Sequence, residues 1–143
     1  MHDVEAIMAR LQGALSLPEL LAASFDAFEA IRVLARGSED KVPSLFAAFM
    51  SAADAAVDGR QAITIAPSLS PVSLVTTAPA AGADIDTITV ALAALGGLLD
   101  EYLARAADRA LITGDRAACQ EAAEAGRRIH QLMVREDNDR HLR

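Results

Sequence analysis

The side chains of this 143-residue chain that could do chemistry are three histidines, one cysteine and two groups of closely spaced carboxylates. His2, His130 and His141 are poorly spaced for a preorganised metal site. A di-iron helix bundle carries Glu three residues before its His, and the residue three before His130 is Arg127. Asp137 and His141 stand four apart in a charged terminal stretch, where a solvated pair is the expected arrangement. No metal and no cofactor are therefore expected. Cys119 could be a nucleophile near the positive end of a helix, which lowers a thiol pKa. Its neighbours Ala117, Ala118, Ala122 and Ala123 instead make it read as a small packing residue.

The carboxylates are the remaining chemical candidates. Asp54 and Asp58 are one helical turn apart, where like charges repel by about 0.2–0.5 kcal/mol unless a cation or proton joins them. Asp100 and Glu101 precede Tyr102. Brought together where the chain leaves residue 60, Asp54, Asp58, Arg60 and Asp100 would frame a ligand pocket. The competing expectation is a solvated helix surface, which is also how Arg105, Asp108 and Arg109 read. The chain has no Gly-x-x-x-x-Gly-Lys-Ser/Thr loop, no Gly-x-Gly-x-x-Gly turn and no Gly-x-Ser-x-Gly elbow, so nucleotide-loop and hydrolase signatures are missing. No pattern names an activity, and the balance leans away from an enzyme.

Five helical segments must position these residues. Val4, Ile7, Met8, Leu11 and Leu15 share one side of a helix over 3–15. Ser16-Leu17-Pro18-Glu19 is a capping box that starts a second helix over 16–36, with Gly37 as a left-handed stop. A third helix over 40–58 begins at Asp40 or Ser38, carries Pro43 in its first turn and ends at Asp58-Gly59. All four phenylalanines lie on the second and third helices, which predicts that these two face each other around the main core. Residues 61–83 hold three prolines and read as an irregular connection. Within it, Ala62–Ala66 and Val72–Thr77 could pair as a small β-hairpin.

Asp84 caps a fourth helix over 84–113, and Gly114-Asp115 separates it from a fifth over 115–135. The fifth has a narrow face of small residues, so the two should form a tight antiparallel hairpin. Residues 136–143 are a charged tail expected to fray. The fold class that follows is all-α: one domain, an antiparallel bundle of about five helices. No second copy of the small-residue hairpin occurs at a fixed spacing, which excludes a solenoid.

Composition sets the boundaries of function. Leu, Ile, Val and Phe supply 37 residues, enough for a core without disulfide or metal. Thirteen basic against twenty acidic residues leave a net charge of −7, so the basic footprint that nucleic acid requires is missing. Twelve of the thirteen cations are Arg, which with 32 Ala suggests a GC-rich bacterial coding bias. One cysteine permits no internal disulfide, and the acidic start Met1-His2-Asp3-Val4-Glu5 does not resemble a secretory leader. The expected location is the cytoplasm. The longest charge-free run, 61–83, is broken by prolines, so no membrane partner is expected.

Val90 to Leu99 is wholly apolar or glycine, and a helix apolar all round should be covered all round. The leading expectation is a non-enzymatic helical interaction module that forms a homo-oligomer through Leu92, Leu95, Leu98, Leu99 and Tyr102. The alternative is a small-molecule-binding protein or enzyme using the acidic pocket beside 61–83. An unidentified protein or small molecule is the partner either way.

Overall fold

In a computed structural model the described residues are 2–69 and 83–141, and they form five α-helices with no β-strand among them. Helix α1 is His2–Gly13, α2 is Leu17–Ser38, α3 is Phe46–Thr64, α4 is Ile85–Arg109 and α5 is Thr113–His141. A short 3-10 turn, Pro43–Leu45, leads into α3.

The helix starts follow local chemistry. The Glu19 amide donates to Ser16 Oγ at 3.3 Å, and the Glu19 carboxylate accepts from the Leu15 amide at 3.0 Å, one residue earlier than a standard capping box. At α4 the Thr87 amide donates to Asp84 Oδ1 at 2.7 Å.

The helix ends depart from the sequence expectation. Gly37 does not stop α2, which continues to Ser38. Asp58-Gly59 does not stop α3, which runs on to Thr64 and absorbs most of the first proposed hairpin strand, Ala62–Ala66. The second, Val72–Thr77, lies outside the described residues. Gly114 and Asp115 are in the first turn of α5 rather than before it, and α5 extends through most of the expected tail to His141.

Tertiary contact explains two of these departures. A Cβ on Gly59 would strike the ring of Phe28, so Gly59 is the gap in α3 that admits this aromatic of α2. Gly114 lies under the Pro67 ring, and Asp115 is buried with its carboxylate accepting from the Ser68 amide at 2.9 Å and the Ser68 hydroxyl at 2.5 Å. That pair of bonds ties the exit of α3 to the entry of α5.

The most extensive contact in the molecule is between α4 and α5. Gly96 and Gly126 meet there. A Cβ on Gly96 would sit 2.8 Å from Gly126 O and from the His130 amide, and one on Gly126 would sit 2.9 Å from the Asp100 amide and from Gly96 O. Ala93 meets His130 while Asp100, further along α4, meets Arg127, earlier on α5, so the two run antiparallel. Ion pairs Arg36–Asp54 and Arg60–Glu29 set α2 and α3 antiparallel as well. Phe28 and Phe49 are fully buried, as expected of the core between α2 and α3, whereas Phe46 is largely exposed.

Two substitutions separate packing glycines from idle ones. Gly96→Ala is expected to lower unfolding free energy by roughly 1–3 kcal/mol through overpacking against backbone. Gly37→Ala, with nothing within 4 Å of the new methyl, should raise it by about 0.5–1 kcal/mol. Urea denaturation of both variants checks this; a Gly96→Ala midpoint equal to that of the parent would contradict the close approach.

Candidate functional site

The carboxylate candidates are not assembled into one site. Asp54 and Arg60 project from α3 toward α2, where Asp54 pairs with Arg36 at 3.0 Å and Arg60 with Glu29. Asp58 is held by Arg128 and Asp100 by Arg127, each at 3.5 Å. Arg127 and Arg128 are neighbours on α5, one reaching α4 and the other α3. The four residues thus serve as four separate clasps between helices.

One clasp is a network. Glu29 accepts from both Arg32 and Arg60, and the hydrogen bond from Arg32 is the main reason its carboxyl is held below the usual carboxylate range; burial opposes this and Arg60 reinforces it. The Arg32 guanidinium is in turn pushed up by Glu29.

The apolar candidates divide. Leu92, Leu95 and Leu99 are fully buried by the chain's own helices, together with Ile88 and Leu103. They form the core side of α4 and have no free surface to offer a partner. Leu98 and Tyr102 are half-buried. Helix α4 is long and apolar enough by composition to cross a membrane, and here Leu92, Leu95, Leu99 and Leu103 are turned into the protein core.

What remains uncovered on α4 is a different stripe. Val90 is 55% exposed, and Ala94 and Leu98 follow it at four-residue steps, half-buried. With Val4 and Met8 of α1 and Ala91, Val90 and Ala94 line an apolar groove of about 440 Å3, with Glu5, Asp86 and Thr87 at its polar end. Sequence reading missed the α1 half of this groove. The signal was present: Val4, Ile7, Met8, Leu11 and Leu15 make a stripe too wide for one contact, and while Val4, Ile7 and Leu11 are buried, Met8 is left at the edge and Leu15 in solvent.

Cys119 is fully buried, and desolvation, with a smaller contribution from the Asp115 charge, pushes its thiol up to about 11. His130 sits against Gly97, its Nδ1 2.8 Å from the Ala93 carbonyl. A carbonyl only accepts, so Nδ1 carries a proton in this contact. Among the described residues no group of three or more His, Cys, Asp or Glu side chains is placed to hold a metal ion. Comparison with protein families, with curated proteins and with solved structures finds no match.

Two measurements check these assignments. Glu29→Gln should cost about 1 kcal/mol at pH 7. Because the folded pKa of Glu29 is depressed, its stabilisation is present above the ordinary value of 4.5 and is lost as pH falls through the folded value. The gap between parent and variant should therefore close in acid; a gap independent of pH would contradict the charge-based role. Cys119 should resist a thiol reagent at pH 8 in the folded protein and react rapidly in urea, and fast labelling of the native state would contradict its burial.

Proposed function

We propose that the chain is a non-enzymatic helical interaction module that self-associates through the uncovered faces of α1 and α4, within an antiparallel bundle acting in the cytoplasm. The observation that carries the proposal is the stripe Val90, Ala94 and Leu98, left open beside Met8 on a helix otherwise packed on its own core. Exposed apolar surface that is contiguous, rather than scattered, is characteristic of an interaction site.

A second copy of the chain is the occupant that the charges favour. Asp86 lies near the start of this stripe and Arg105 near its end, nineteen residues or about 28 Å along the helix. Antiparallel pairing of two α4 helices about a two-fold axis near Gly96 would set Asp86 of each copy toward Arg105 of the other. Small residues at Ala91 and Ala94 would allow the helices to approach closely. A parallel pairing would instead bring like charges together. The acidic cluster expected to frame a ligand pocket is drawn into clasps between helices, which removes the main support for the small-molecule alternative at that place.

Sedimentation equilibrium tests the proposal. The parent should be dimeric at micromolar concentration, and Val90→Glu and Leu98→Glu should each produce monomers with unchanged helical circular dichroism. Leu92→Glu should instead unfold the chain, since it places an unpaired charge in the core. A parent that remains monomeric at high concentration would refute self-association.

A further inference from the structure

At the end of the molecule where α1 gives way to α2, a second cleft of about 280 Å3 opens against the last turns of α4. We propose that it binds a small aliphatic carboxylate, of the class of a short- to medium-chain fatty acid. The cleft is separate from the α1–α4 groove, and the inference does not depend on self-association.

The floor is aliphatic. Leu11, Leu20 and Ala110 are buried with their side chains toward the cleft, and Leu17 and Ala106 complete it. Leu15 stands on the rim at 94% exposure, an unusual cost for an aliphatic side chain that a bound alkyl chain would reduce. Aromatic rings are few at this site, Tyr102 being the one contributor, so the lining suits a flexible hydrocarbon better than a flat heterocycle.

The polar side of the same cleft is cationic. Arg105 and Arg109, one turn apart on α4, both line it. Arg105 donates to Glu101 at 2.7 Å and stacks over the Tyr102 ring at 5.7 Å, which holds its guanidinium in place. Arg109 makes no ion pair or hydrogen bond among the described residues, and neither does the Tyr102 hydroxyl. The nearby carboxylates are engaged elsewhere: Glu101 by Arg105, and Glu19 by the Leu15 amide. An incoming anion therefore meets a free guanidinium and a free hydroxyl with no unpaired carboxylate in the lining.

A planar guanidinium matches a carboxylate in a two-point bond, and Arg stays charged at every relevant pH. A single carboxylate head on a saturated tail is the simplest ligand with this polarity. The volume, at the lower edge of the range for small-molecule sites, limits the tail to a few carbons beyond the head.

Titration calorimetry of the 143-residue chain at pH 7 with sodium butanoate, hexanoate and octanoate, below their micelle concentrations, tests the proposal. Saturable binding is expected, tightening about fourfold for each methylene added until the cleft is full. Arg109→Gln should weaken hexanoate binding about tenfold while leaving the thermal midpoint unchanged, since Arg109 is exposed and makes no internal bond. Ala106→Leu, which fills the floor, should weaken octanoate more than butanoate. Hexanol binding as tightly as hexanoate would overturn the anionic part of the proposal, and no saturable binding by any of the three acids would overturn all of it. Binding to phosphatidylglycerol vesicles without binding to free acids would overturn it in favour of a membrane surface. The quaternary state, measured in the same samples, reports separately on self-association.

Discussion

The tightest approach of backbone to backbone at any glycine among the described residues is the meeting of α4 and α5 at Gly96 and Gly126. Neither position tolerates a Cβ without displacing main-chain atoms of the other helix, so the separation of α4 and α5 is set by peptide groups and not by side chains. Everything along the hairpin is placed by that contact. Gly97, one residue on, gives His130 room to reach the Ala93 carbonyl, and the buried leucines Leu92, Leu95, Leu99 and Leu103 are turned toward the remaining helices. The alanine-rich face of α5 follows from the same cause: small side chains are what a helix can carry at such close range.

Charge in this protein works mainly between helices. The clasps Arg10–Asp26, Arg60–Glu29, Arg36–Asp54, Arg127–Asp100 and Arg128–Asp58 each join two different elements. Exposed pairs of this kind contribute little energy individually, about 0–1 kcal/mol. Asp26 differs, because its carboxylate is almost wholly buried and Arg10 bonds it at 2.6 Å; leaving that charge without a partner would be costly. The distribution favours register over net stability, since a slipped helix would separate several pairs at once.

The surfaces left over are where interaction is to be sought. One is the apolar stripe between α1 and α4; the other is the cleft at the α1–α2 turn with its arginine rim. They differ in chemistry. The first offers an apolar groove with acidic residues at one end, suited to a helix of a second copy. The second is smaller and cationic on one side, suited to a small anion with a hydrocarbon tail. Neither uses Cys119, whose burial makes it a packing residue.

What could be read from the residues alone was whatever depends on near neighbours in the chain. The helical class follows from periodicity, and the starts of α2 and α4 from Ser16 and Asp84, because a cap is a hydrogen bond made within four residues. Helix ends were misread wherever a glycine stood. Gly59 and Gly114 look like stops in sequence, yet each is small because a distant ring, Phe28 or Pro67, occupies the space of its missing side chain. The apolar run of α4 likewise indicated that much of it must be covered, but whether by the chain itself or by another molecule was not encoded locally. Only the tertiary structure decided that Leu92, Leu95 and Leu99 face inward while Val90 does not, and that Asp54, Asp58, Arg60 and Asp100 bind four different partners. Those choices depend on which helices lie alongside, a property of contacts between residues far apart in the chain.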